Sequence, residues 1–126
     1  SKSKLKTNQE FKTHTIQVMT LFPNTVLVAH HEHVEVWHIL PGNKENESKV
    51  SFSLFSIEKA TTKSAKQHWE NNFNLAIDVV QAEDFPLGED VQKGFYADQK
   101  RELIFGKNEP GLQHFHKSIN QALKDG

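Results

Sequence analysis

Two groups of residues in this 126-residue chain have the types and spacing to do chemistry. The first is the carboxylate pair Glu83-Asp84. Trp69, Phe73, Ile77, Val80 and Asp84 recur at spacings of 4, 4, 3 and 4, which is one stripe of an α-helix. Asp84 therefore continues an apolar stripe, and a carboxylate on such a face is costly without a partner. A metal ion is one partner. The other is the start of a new turn at Pro86, because Asp ahead of a helical Pro is a common N-cap arrangement. Spacing alone leaves both roles open.

The second group is histidine. The chain holds eight, and His30-His31-Glu32-His33 carries metal-ligating types in sequence. Neighbours on a strand point to opposite faces, and residues at a hairpin tip face water. His31 and His33 have the spacing to chelate a divalent ion, but no further ligand or supporting partner is evident in the sequence. His114 and His116 are two apart on a helical pattern, about 200° around the axis, so they cannot chelate together. One is expected beside Phe115 and the other in solvent. His68 is expected on the solvent flank of Trp69.

Composition removes several kinds of chemistry. Without Cys there is no disulfide, thiolate zinc site, cluster ligation or cysteine nucleophile in this chain. No Gly-x-Ser-x-Gly and no glycine-rich phosphate loop occurs. Net charge is -1 and Arg101 is the lone arginine, so the basic footprint of a nucleic-acid binder is missing. No apolar run reaches the roughly 20 residues that span a bilayer, and Ser1-Lys2-Ser3-Lys4-Leu5-Lys6 has no apolar segment behind it to make a secretory signal. The chain lacks an initiator Met and reads as a piece of a longer protein. Mean hydropathy is -0.64, with nine Phe and two Trp. That is a globular composition, large enough for one core.

These residues must be positioned by four strands and then helices. Residues 11–20 alternate, with Phe11, Thr13, Thr15, Gln17 and Met19 on one side. Phe22-Pro23-Asn24 punctuates. Thr25 to Ala29 is a second strand and His33 to Leu40 a third, with His31-Glu32 at the tip between them. Val34, Val36 and His38 oppose Glu35, Trp37 and Ile39. Pro41-Gly42-Asn43 ends the third strand and 44–49 is a solvated loop. Val50 to Ile57 is the fourth, with Val50, Phe52, Leu54 and Ser56 opposite Phe55 and Ile57. Joints this short imply an antiparallel meander.

The pattern then turns helical. A long helix runs from about Lys63, Pro86 ends or kinks it, and Leu87 to Ala97 forms a short second helix. Leu103-Ile104-Phe105 is extended. Glu109 to Leu123 is the last amphipathic helix, with Asn108 a plausible N-cap and Pro110 near its start. The chain thus reads as one α+β domain over residues 1–126, with strands about 11–58 and helices about 63–97 and 109–124. The long helix covers an antiparallel sheet.

Leu21-Phe22-Pro23-Asn24-Thr25-Val26-Leu27, His33-Val34-Glu35-Val36 and Leu40-Pro41 together resemble the strand hairpin in the catalytic domain of Rieske non-haem iron oxygenases. Glu83-Asp84-Phe85-Pro86 with Gln92-Lys93-Gly94 resembles that family's Glu-Asp … Gln-x-Gly segment. Phe105-Gly106-Lys107-Asn108-Glu109 and His114-Phe115-His116-Lys117 are similar to its C-terminal helix. The likeness spans residues 20–123 in order.

The resemblance implies a helix-grip (START/Bet v 1-like) fold, here incomplete. It implies a cytoplasmic ring-hydroxylating oxygenase large (alpha) subunit that uses mononuclear Fe(II) and O2 on an aromatic or other small organic substrate. Iron in this family is held by two His and one Asp, a triad suited to activating O2, and Asp84 matches the carboxylate. The family's two His ligands lie on a helix upstream of these strands, in a segment this chain lacks, and so do the Rieske cysteines. The chain is expected to be the back part of the catalytic domain, inactive alone. The [2Fe–2S] Rieske cluster would lie in the missing N-terminal part, fed by a reductase or ferredoxin. The intact enzyme would be an α3 homo-oligomer, with no nucleic acid or membrane partner. A sheet missing its earlier strands would expose an edge and invite pairing with a second copy.

A competing reading remains. A long helix over a curved sheet can enclose an apolar pocket and bind a hydrophobic small molecule without chemistry. In either case Phe73, Ile77 and Val80 are the candidate pocket residues, although such a stripe ordinarily forms plain core.

Overall fold

β1 (Gln17–Leu21), β2 (Thr25–Ala29), β3 (His33–Pro41) and β4 (Ser48–Ser56) form one antiparallel sheet in the order β1-β2-β3-β4. The computed structural model describes residues 15–97, 102 and 104–126. The expected strand residues 11–14, together with His14, Arg101, Leu103 and the segment Ser1 to Lys6, lie outside the described residues. The chain divides into two compact units, Ser1–Pro86 and Leu87–Gly126.

In the first unit the sheet register decides which side chains share a face. Val26 pairs with Trp37 and Val28 with Glu35, while Trp37 pairs with Phe52 and Glu35 with Leu54. Directly opposed residues project to the same side. One face therefore carries Val26, Val28, His33, Glu35, Trp37, Phe52 and Leu54. The Trp37 and Phe52 rings stack on it at 4.2 Å. The other face carries Met19, Leu27, Val34, Val36 and Phe55. The alternation expected for β3 and β4 is present, and Phe55 and Ile57 on the far side are 60% and 73% exposed.

The strands run slightly differently from expectation. β3 continues through Pro41 because Pro41 pairs with Ser48, and a proline can end an edge pairing without donating to it. The turn beyond it is tight. Gly42 donates its N–H to Glu47 O at 2.8 Å, and a Cβ on Gly42 would lie 2.5 Å from Glu47 Cβ.

Helix α1 (Lys63–Ala82) begins where expected. Thr62 is its N-cap, with Oγ1 accepting from the Ala65 N–H at 3.1 Å. Its apolar stripe of Trp69, Phe73, Ile77 and Val80 is half-buried. Phe73 meets Phe52 at 4.8 Å, so α1 lies on the Glu35–Trp37 face of the sheet. No described residue is fully buried. A single helix resting on β3 and β4 makes a half-buried layer among the described residues.

α1 stops at Glu83, whose N–H still bonds Val79 O at 2.9 Å. α2 (Asp84–Ala97) starts at once, three residues before the expected Leu87. Pro86 is tolerated because it falls in the first turn, where the missing N–H has no intrahelical partner anyway.

In the second unit α3 (Pro110–Asp125) is capped by Glu109 rather than by Asn108. Glu109 makes no side-chain capping bond. Its Oε2 accepts instead from the Gly106 N–H at 2.6 Å, and the Gln113 side chain donates to Gly106 O at 3.1 Å. The Gly106 turn is thereby tied to the start of α3. None of the described helices is long and apolar enough to cross a membrane.

Candidate functional site

Three features of the first unit could do chemistry: a His–His–Glu cluster at one end of α1, an apolar hollow beneath the helix, and Asp84 just past its other end.

The cluster comes from the β2–β3 hairpin. His30 follows β2, and its N–H donates to His33 O at 2.9 Å. This closure folds His30 back over the start of β3. His33 and Glu35 are two apart on β3 and share a face. His30 Nε2 and His33 Nε2 lie 3.2 and 3.6 Å from the same oxygen, Glu35 Oε1. The two imidazoles stack at 4.1 Å and 9°. Trp37 Nε1 donates to the other oxygen, Glu35 Oε2, at 3.0 Å, and Trp69 of α1 packs its ring against His33 at 5.4 Å.

Electrostatics follow from that packing. Burial, and then the neighbouring His30, hold the His33 imidazole below its ordinary 6.5, outweighing the pull of Glu35 and Glu32.

His31 and His33, which have the spacing to chelate, do not come together. His31 is exposed at the tip, and His30 is the residue that turns inward with His33. The loop bond between residues 30 and 33 causes this. Glu35 was not singled out by sequence reasoning. The signal for it was the two-residue period that puts His33, Glu35 and Trp37 on one face.

The hollow is lined by Trp37, Val50, Phe52, Phe73, Ile77, Gln81 and Phe85, with a volume of about 260 Å³. An apolar cavity of about 150 Å³ already accepts a benzene ring, so this one has room for a single ring. Of the three candidate pocket residues, Phe73 and Ile77 line it; Val80 is half-buried on the same stripe but is not among its lining residues.

Asp84 is exposed, in the first turn of α2. It does not continue the α1 stripe. Glu83 sits at φ -116° and ψ -61°, well off helical φ, and this break rotates the start of α2 out of register with the stripe. Phe85, the neighbour of Asp84, reaches the hollow. Among the described residues the one group of three potential metal ligands is His30, His33 and Glu35, which does not include Asp84.

His68, His114 and His116 fall as expected. His114 is exposed, while His116 is half-buried between Phe105 at 4.6 Å and Phe115 at 6.2 Å. His68 is exposed and 3.2 Å from the Asn72 amide.

A family model described as ring hydroxylating alpha subunit (catalytic domain) matches residues 2–125. No curated protein and no solved structure matches the chain.

Proposed function

The chain belongs to the ring-hydroxylating alpha subunit catalytic-domain family, and from that premise we propose that it forms part of an iron-dependent oxygenase whose substrate ring sits in the hollow beside Phe85. The observation that carries this reading is the hollow itself. It is apolar apart from Gln81, sized for one ring, and bordered by the residue next to Asp84.

In this reading Asp84 supplies one carboxylate to mononuclear Fe(II), and O2 is the co-substrate. The described residues do not make that iron site by themselves. Asp84 offers a single exposed carboxylate, and the described histidines that gather with a carboxylate do so at Glu35. Two imidazole ligands from outside this chain complete the set. Bound iron would supply O2 activation, as two-His-one-carboxylate sites do.

What this chain's own residues do is bind and orient. Trp37, Phe52 and Phe73 present ring faces and edges to a planar guest, and such contacts favour offset or edge-on packing. Ile77 and Val50 add aliphatic surface at the sides. Electrons reach the intact enzyme from a reductase or ferredoxin through a [2Fe–2S] Rieske centre in another part of the protein. The intact enzyme assembles as a homo-oligomer. Among the described residues β1 is an edge strand, with Val18 at 67% and Leu21 at 51% exposure, and it is the edge that would pair with a second copy when this chain is alone.

The test uses the intact alpha subunit. Iron per subunit is measured after anaerobic Fe(II) loading, and product formation is followed with a single-ring aromatic substrate. Asp84→Asn should keep its circular dichroism and its cluster iron, lose the one mononuclear iron per subunit and lose turnover. Iron content and turnover both at wild-type level in Asp84→Asn would sink the reading. Aromatic binding to the hollow in the absence of any oxygenation by the unaltered protein would instead favour a non-catalytic binding module.

A further inference from the structure

The His30–His33–Glu35 cluster is not used by the oxygenase reading and stands independently of it. Its donor atoms all lie within 4.8 Å of one another. The ligands flank the hairpin tip, with His30 before it and His33 and Glu35 after it. A shared ion would tie the two strands together where they turn.

Three observations distinguish the cluster from a chance gathering of polar groups. His30 Nε2 is shielded from solvent and makes no hydrogen bond, although Glu35 Oε1 is only 3.2 Å away. A sequestered nitrogen of this kind calls for a partner. Glu35 Oε1 faces both imidazoles, so one oxygen is asked to serve two rings. Glu35 Oε2 is held by Trp37 Nε1, and ligating carboxylates are commonly oriented by an outer hydrogen bond of this kind.

We propose that His30, His33 and Glu35 bind a divalent first-row cation of the zinc class. Two imidazole nitrogens and one carboxylate oxygen match zinc and its neighbours. Magnesium and calcium prefer sets built wholly from oxygen. Binding requires both rings to turn about Cβ–Cγ until their lone pairs converge on one point. Three protein ligands leave a fourth position for water.

This site is separate from Asp84. Trp69, which touches His33, and Ala82, the last residue of α1, are about 20 Å apart along the helix at the usual rise. No single ion can bridge that distance.

The experiment titrates Zn2+ into chelator-treated 126-residue chain by calorimetry, with thermal melting alongside. One equivalent should bind and raise the melting temperature, as a native-state ligand must, and Mg2+ should not compete. His30→Ala, His33→Ala and Glu35→Gln should each weaken binding roughly tenfold or more. His31→Ala and Asp84→Asn should leave it unchanged. Absence of Zn2+ binding overturns the proposal. So does loss of binding in His31→Ala with retention in His30→Ala, which would mark a solvent-facing chelate at the tip. Where a variant fails to fold, X-ray absorption of the unaltered Zn2+-loaded chain decides. Two imidazoles in the first coordination sphere support the site, and one or none overturns it.

Discussion

Phe52 of β4 and Phe73 of α1 meet with ring centroids 4.8 Å apart and 36° between planes. With Trp37 also stacked on Phe52, at 4.2 Å, the three rings are the seat of the helix on the sheet. Removing Phe73 removes that seat. Full burial would make a Phe→Ala change cost about 3–5 kcal/mol, and half-burial brings the expectation to about 2 kcal/mol. Urea unfolding midpoints of Phe73→Ala should shift accordingly. Phe55→Ala, on the open face, should stay within about 0.5 kcal/mol. Equal shifts for the two would show that α1 does not rest on this face.

Ile77 lines the hollow of about 260 Å³. Ile77→Trp should fill it and weaken binding of a single-ring aromatic such as toluene by about tenfold, or about 1.4 kcal/mol. Leu75→Trp, on the exposed side of the same helix (61% exposed), should not. Calorimetric titration of both variants reads the difference, and unchanged affinity in Ile77→Trp would place the guest elsewhere.

The His33 imidazole is held below its ordinary 6.5 by burial and by His30. In the unfolded chain His33 takes up a proton near 6.5, while the folded ring resists until lower pH. Between the lowered value and 6.5 the unfolded state therefore binds more protons, and stability falls as pH falls. Melting temperature should drop across this window and then level off. The drop should be smaller in His33→Gln, and an identical profile in that variant would assign the effect to other groups.

At Gly42 an added Cβ meets the Glu47 Cβ at 2.5 Å and its backbone carbonyl carbon at 2.7 Å. The second obstacle is backbone and cannot swing away. Gly42→Ala should therefore cost about 1–3 kcal/mol, in the range of overpacking. Gly88→Ala, which meets nothing within 4 Å, should be neutral or slightly stabilising as a helix substitution. Thermal denaturation of the pair compares a blocked site with an open one.

Much of the first unit was legible because its signals are local. Two-residue alternation in Val34-Glu35-Val36-Trp37 and the punctuation at Phe22-Pro23-Asn24 give the meander, and the Trp69–Val80 stripe gives α1 and the face it buries. The start of β4 was missed because Ser48 is held by pairing with Pro41, a cross-strand relation with no local pattern. The orientation of Asp84 was misread because a stripe presumes an unbroken helix, and one non-helical φ at Glu83 cancels that presumption. The inward turn of His30 depends on a loop hydrogen bond, which adjacency in sequence does not reveal. The cap of α3 went to Glu109 because the Gly106 turn captured its carboxylate. Neighbouring residue types could not decide between Glu109 and Asn108.

Every strand of the sheet pairs with its neighbour in sequence, so each ladder needs only a short loop to close, and the whole sheet can zip up in order during synthesis. α1 comes later. Phe73 emerges roughly 1–4 s after Phe52 at ordinary rates of translation. Through that interval Trp37 and Phe52 stand on a finished sheet with nothing over them, a sticky surface on a nascent chain. The residues that later receive the helix are thus also the ones by which a chaperone, or a second nascent chain, would first recognise this protein.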